Sequence, residues 1–309
     1  MLRCEKKSVK VSKILLLISL VIALIVPFTF QKIKKPKDWL VQKTRIIENS
    51  EIIHKIRVNK KPKVIQKANI IKKQIQVIEK PLHQILLPDF VNTQDIKKKK
   101  KQFFNFLRPT IEEENQKLLN IRIQLKRWRI KLSLEKKLSQ RELKEIGNLI
   151  KNYKVKGKYS LLEQLDELLI RIDIVPTPLV LVQAANESGW GTSRFARIGL
   201  NFFGIWCFRP GCGMIPNDRN HSAKHEVAAF NSVDKAVKRY LNNINTNNAY
   251  IVLRTIRKQL RAQNQPLQPK ILATGLLAYS ERGTDYVLEI IAMIRHNRNY
   301  FNTKAIQAD

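Results

Sequence analysis

The sequence predicts a mostly helical α+β domain held behind an apolar segment and a basic stalk. Three observations carry this reading. Helix-start signals recur through the C-terminal part of the chain: Ser139 with Glu142, Ser160 with Glu163, and Thr177 with Pro178. One stretch, residues 224–230 (Lys-His-Glu-Val-Ala-Ala-Phe), alternates as a half-buried strand does. Charge is unevenly distributed, because residues 1–144 hold 36 of the 58 basic residues and only 12 of the 25 acidic ones.

Taken in order, residues 1–13 form a short basic tail and residues 14–30 a stretch without charge, broken only by Ser19, Pro27 and Thr29. Seventeen residues are just enough to span hydrocarbon, which takes about 17–25. No small-residue cleavage site follows, so the segment is expected to remain as a transmembrane anchor. Basic residues flank both of its ends, so charge alone does not orient it. Residues 31–101 mix charged and apolar side chains without a sustained period. They are interrupted by Pro36, Pro62, Pro81 and Pro88 and end in the run Lys97 to Lys101. Such a chain buries too little apolar surface to offset its ordering entropy and reads as a flexible spacer. Residues 102–158 read as a helical lead-in. One helix starts at Pro109 and Thr110, with Ile111, Leu118, Leu119, Ile121 and Leu125 near helical spacing, and a second starts at Ser139. Residues 159–309 are long enough for one compact domain.

The formal charge of +33 would suit nucleic acid. However, the excess is mostly lysine spread along the chain, and no zinc-finger or RNA-binding aromatic motif accompanies it. The expectation is no nucleic-acid partner and a solvated stalk near anionic surfaces. Arg254, Arg257 and Arg261 read as one solvated helix face. Of the three cysteines, Cys4 precedes the apolar segment, while Cys207 and Cys212 lie close together downstream. The latter pair suits a disulfide in an oxidising compartment, although free thiols, or a zinc site completed by His221 and His225, are compatible with the spacing. The His225-Glu226 pair lacks the second histidine of a metalloprotease motif. No metal or other cofactor is expected, and the oligomeric state is left open.

The chemistry concentrates where the apolar run Leu179 to Ala185 ends in Asn186-Glu187-Ser188-Gly189-Trp190-Gly191. A helix that is apolar on nearly every face belongs in a domain interior. A carboxylate at its C-terminal end faces the negative pole of the helix and apolar neighbours, and both raise a carboxyl pKa. A glutamic acid still protonated near neutral pH is what glycosidic-oxygen protonation requires. The bland alternative is a surface glutamate at a frayed helix end. Gly189 and Gly191 suit a tight turn.

The segment Gln183-Ala184-Ala185-Asn186-Glu187-Ser188-Gly189-Trp190-Gly191 resembles the signature of bacterial glucosaminidases of glycoside hydrolase family 73, and Asn201-Phe202-Phe203-Gly204-Ile205-Trp206 resembles the segment that follows it there. Likeness to an inner-membrane member of that family covers roughly residues 87–300. It includes Lys101 to Phe104, Cys207 with Cys212, His225-Glu226-Val227, and Arg282-Gly283 with Tyr286. The resemblance implies a lysozyme-like fold, mostly helical with a small β-hairpin, and cleavage of the β-1,4 bond after N-acetylglucosamine in peptidoglycan glycan. It implies Glu187 as the catalytic acid, Glu226 as a second acidic residue and Tyr279 as a cleft tyrosine. Solvated-strand and helix-packing roles remain open for Glu226 and Tyr279. Trp190, Phe202, Phe203 and Trp206 either stack on sugar faces or fill the core. The implied setting is a bacterial inner membrane, crossed once by residues 14–30, with the catalytic domain in the periplasm and peptidoglycan strands as the partner. A lytic transglycosylase, or a catalytically silent wall-binding scaffold, fits the same residues.

Overall fold

The computed structural model describes residues 79–157, 160–216 and 225–301, all within one compact unit. The expected anchor at residues 14–30 and most of the expected spacer lie outside the described residues. Among the described residues, no helix is long and apolar enough to cross a membrane.

The first helix, α1 (Ile96–Ser133), begins in the lysine run assigned to the spacer and passes through Pro109 rather than starting there. Asp95 caps it by accepting from the Lys97 and Lys98 amides. Phe103, Phe104, Leu107 and Ile111 lie on either side of the proline and are completely buried. Burying these four side chains, at roughly 1.5–3 kcal/mol each, exceeds the ~3 kcal/mol cost of an interior proline. The helix therefore continues, with Lys97, Lys98 and Lys101 in solvent. α2 (Gln140–Asn152) and α3 (Leu161–Arg171) start at the expected capping boxes of Ser139 with Glu142 and Ser160 with Glu163.

The central helix α4 (Thr177–Ser188) starts one residue earlier than expected: Pro176 occupies the cap position and Thr177 is already helical. Residues 179–185 are all buried. α5 (Arg194–Gly199) leads into a three-stranded antiparallel sheet of β1 (Trp206–Cys207), β2 (Gly213–Met214) and β3 (Glu226–Ala228), with β3 in the middle. In register, Trp206 faces Val227, Cys207 faces Glu226, and Gly213 faces Ala228. The expected strand is therefore the central one of a small sheet rather than half of a simple hairpin. α6 (Val233–Thr246), α7 (Ile251–Ala262), the short α8 (Pro269–Ala273) and α9 (Thr284–His296) complete the unit. α8 gives way to a 3-10 turn, Thr274–Leu276, in which Gly275 passes so close to α7 that an added Cβ would stand 2.4 Å from the Leu253 Cα.

α1 lies along α3, α4 and α6, and α9 lies against α4, so α4 is enclosed. Residues 79–95 join this body. The Leu82 amide donates to the Ile198 carbonyl at 2.8 Å, the His83 ring bonds the Arg197 carbonyl, and Glu79 pairs with Arg194. Phe90 is buried against Phe103 and Phe106.

The arginines expected on a solvated face are instead among the most buried residues. Arg254 is 3% and Arg257 1% exposed. Arg257 donates to the carbonyls of Ile170, Arg171, Asp173 and Ile174 and to Asn245 Oδ1. Arg254 donates to the Ile244 and Asn247 carbonyls. The final carbonyls of a helix have no intrahelical partner, and a guanidinium with its fixed fork of donors satisfies several at once. The two side chains thus close the C-terminal ends of α3 and α6, where a cation is also favoured by the helix dipole. Arg261 does reach the surface, and it holds buried Asp173 through two hydrogen bonds of 3.0 and 2.9 Å.

Candidate active site

Glu187 sits in the last turn of α4, half-buried, as the sequence placed it. The three residues that end the helix turn are all left-handed: Gly189 (φ 55°), Trp190 (φ 59°) and Gly191 (φ 80°). Trp190 pays the steric cost of that region, yet its ring is gripped edge-on by Phe103 and Phe104 at 5.8 and 5.2 Å. Gly191 must be glycine for a second reason, since an added Cβ would stand 2.5 Å from the Phe90 ring. Ser188 locks the turn from inside. Its hydroxyl donates to the Ala184 carbonyl and accepts from the Gly191 amide at 2.9 Å.

The second wall is the loop after α5. Asn201 organises it with all its capacity used. Its amide donates to the Ile205 and Ala228 carbonyls, each at 2.8 Å, and its oxygen accepts from the Phe203 and Ile205 amides. This presents Gly204 (φ 62°) directly to the candidate acid, with a hypothetical Cβ at Gly204 lying 3.5 Å from Glu187 Oε2.

Tyrosines line the remainder of the site. A directed chain of hydrogen bonds reaches Glu187 from the core. The Tyr240 hydroxyl donates to Gln183 Oε1, Gln183 Nε2 donates to the Tyr286 oxygen at 3.0 Å, and the Tyr286 hydroxyl stands close enough to the Glu187 carboxyl to lower its pKa. Because an amide oxygen only accepts and its NH2 only donates, Tyr286 has its own proton left for Glu187. Tyr279 stacks parallel on Tyr286 at 5.3 Å and donates to the Phe203 carbonyl at 2.9 Å. Tyr250 is buried beside it. Burial raises the pKa of all four phenols, and the Glu187 charge adds to the effect, so each remains a neutral donor.

Burial also raises the Glu187 pKa above the ordinary carboxylate range. The hydrogen bond from Tyr286 opposes this, nearby Glu289 reinforces it, and Arg282 opposes it. Arg282 and Glu289 are themselves paired at 2.8 Å. Desolvation dominates, which is the environment that keeps a carboxyl protonated for proton donation.

The structure sorts the other expected site residues. Trp206 is 50% exposed and stacks on His225 at 3.9 Å, so it remains available to a ligand. Phe202 and Phe203 do not. Both are buried, Phe202 against Phe103 and Phe106, and Phe203 stacked on Tyr240 at 4.3 Å. They immediately precede Gly204, where the backbone faces the site while their side chains turn inward. Trp190 is half-buried with Lys100 over its ring at 5.1 Å, so its packing supports the turn. Glu226 is buried rather than solvated, and its two oxygens accept from the Gly211 and Gly213 amides at 3.0 and 2.8 Å. Cys207 and Cys212 are joined as a disulfide. With Glu226 they form the one metal-ligand-like group among the described residues, but sulfurs bonded to each other offer no thiolate. His221 lies outside the described residues.

Sequence reasoning missed Gln183, Tyr240 and Tyr250 as site residues. Gln183 gave a signal in retrospect, as an amide inside an otherwise apolar helix.

A family model described as Glucosaminidase, mannosyl-glycoprotein endo-beta-N-acetylglucosaminidase, matches residues 162–299. Among curated proteins the chain is similar to Protein bax of Escherichia coli (strain K12), with 32% identity over 213 residues, 69% of this chain and 74% of that protein. No solved structure matches the chain. The matched span contains Glu187, Gly204, Tyr279 and Tyr286 together, and the chain belongs to the glucosaminidase family as a Bax-like, glycosidase-type protein.

Proposed function

We propose that the chain is a peptidoglycan hydrolase, an endo-β-N-acetylglucosaminidase that cleaves the β-1,4 bond after N-acetylglucosamine. The observation that carries this reading is the half-buried Glu187 beside Tyr286 and Gly204, its pKa raised by desolvation. In this mechanism the Glu187 proton passes to the glycosidic oxygen as the bond from that oxygen to C1 breaks. Water then adds its hydroxyl to C1 and returns a proton to Glu187. Tyr279 lines the same wall, and its bond to the Phe203 carbonyl fixes its ring.

Both oxygens of the second acidic candidate, Glu226, already accept backbone amides. That favours chemistry with one protein carboxyl, in which the substrate's own acetamido group supplies the attack. The same observation also favours the second reading, a lytic transglycosylase, in which a sugar hydroxyl replaces water. We place the enzyme in the bacterial envelope, anchored in the inner membrane by residues 14–30 with the described unit in the periplasm. The Cys207–Cys212 disulfide supports an oxidising compartment.

The test is digestion of purified peptidoglycan by the full chain beside its Glu187→Gln variant, with the new ends identified by mass spectrometry. Reducing N-acetylglucosamine ends made by the parent, and reduced roughly 10²–10⁴-fold in the variant, are expected. Anhydro-muramic ends would move the chain to the transglycosylases. No new ends from a folded parent would leave a wall-binding scaffold.

A further inference from the structure

The segment after α5 carries four large aromatics that the fold treats in opposite ways. Phe202 and Phe203 are buried, whereas Trp206 is 50% and Phe208 75% exposed. An exposed tryptophan or phenylalanine alone is ordinary. Here two stand two residues apart on a piece of chain that is unusually well fixed.

Three braces hold that piece. The Cys207–Cys212 disulfide closes the loop between β1 and β2. The Glu226 carboxylate, from β3, accepts the Gly211 and Gly213 amides across the same loop. Gly213 packs so tightly on β3 that an added Cβ would stand 2.0 Å from the Val227 carbonyl oxygen. Trp206 is itself fixed, since His225 lies parallel to its indole at 3.9 Å and 12°. A disulfide across five positions adds little global stability, so its effect is to hold local geometry. Pre-placed aromatic rings bind with little further ordering cost.

The direction of the segment points to the occupant. Gly204 faces Glu187, and Trp206 and Phe208 follow it two and four residues later. A stretch of n residues reaches at most about 3.6 Å × n. The Cα atoms of Trp206 and Phe208 therefore lie within roughly 7 and 14 Å of Gly204, with Cys207 between them held in the disulfide. A linear polymer bound at Glu187 comes within reach of both.

We propose that Trp206 and Phe208 form a sugar-stacking subsite for a β-1,4-linked glycan, extending the Glu187 cleft, with Glu226 and the Cys207–Cys212 bond as the positioning elements of that platform. The proposal rests on the glycosidase reading of Glu187 for its choice of ligand. The subsite determines how many sugars the protein grips at once, and so its preference for long strands.

The test measures binding without requiring turnover. In the full chain carrying Glu187→Gln, dissociation constants are measured for soluble β-1,4 N-acetylglucosamine oligomers of increasing length, with and without Phe208→Ala. The expected result is a loss that grows with length, reaching about 3–10-fold on the longest oligomer, as an aromatic contact of ~0.5–1.5 kcal/mol implies. Phe208→Trp should restore it, and Cys207→Ser with Cys212→Ser should reproduce the length-dependent loss. Equal constants in parent and variant, or the same fold-loss at every length, would overturn the subsite. A parent chain that cleaves nothing, yet whose Glu187→Gln form shows the length-dependent loss, would overturn the glycosidase reading while leaving the subsite standing.

Discussion

Gln183, one turn before Glu187 on the same helix, donates to the Tyr286 oxygen and so leaves the Tyr286 hydroxyl proton free for the nearby Glu187 carboxyl, whose pKa that hydroxyl lowers. The candidate acid is thus oriented by a partner whose own orientation is set 103 positions away in sequence, and whose burial excludes water as a substitute.

Tyr286→Phe should therefore act in two ways. It removes a hydrogen bond that lowers the Glu187 pKa, so the alkaline limb of the pH–activity profile should move to higher pH. It also strands the Gln183 NH2 in the core, at about 1–3 kcal/mol of stability. An alkaline limb that stays in place or moves down would show that the bond does not control the acid.

Glu187 itself costs the fold stability. Its pKa is raised by burial, so the folded state holds its proton more tightly than the unfolded chain does. Stability then falls as pH rises from the ordinary glutamate value, about 4.3, through the raised folded value. Glu187→Gln escapes that loss. Its melting temperature should exceed the parent's near neutral pH, and the gap should widen upward through this window and be constant below it. Melting curves at several pH values check this, and a gap independent of pH would refute it.

Arg257 closes the end of α3 with five acceptors around one guanidinium, and burial lowers its pKa only to about 10, so it remains charged. Arg257→Ala leaves four carbonyls and Asn245 without that donor set and should cost about 3–5 kcal/mol in urea unfolding. Arg257→Lys keeps the charge but not the planar fork and should recover only part. A change under 1 kcal/mol for the alanine variant would mean that water replaces the guanidinium.

The turn after Glu187 should show coupling between two residues that contact each other. Gly191→Ala meets both a left-handed backbone and the Phe90 ring, while in a Phe90→Ala background only the backbone cost remains. The glycine substitution should therefore be less harmful in the second background, by about 0.5–3 kcal/mol in a double-mutant cycle. Strict additivity would show that Phe90 does not press on the turn.

Much of this was legible where the cause is local. The capping boxes at Ser139 and Ser160 need only residues three apart, and both helices start there. Glu187 could be located because an apolar helix, an acid and two flanking glycines are adjacent in the chain. The misreadings share a different cause. Arg254 and Arg257 look like a solvated stripe until the carbonyl ends of α3 and α6 are brought to them. Phe202 and Phe203 sit beside the site in sequence, but α1 and α6 supply rings that draw them inward. β1 and β2 are two residues each, too short to leave a period.

The long first helix also has a history. Chains are made from the N-terminus, so α1 is complete before α4, α6 and α9 exist. At about 5–20 residues per second, its Phe103, Phe104 and Leu107 wait on the order of ten seconds or more for the last helix of the body they join. Until α3 and α4 are made, the apolar face of α1 has no helix of this chain to pack against. Reliable production of this protein therefore depends on what keeps α1 company while the rest of the chain is still being synthesised.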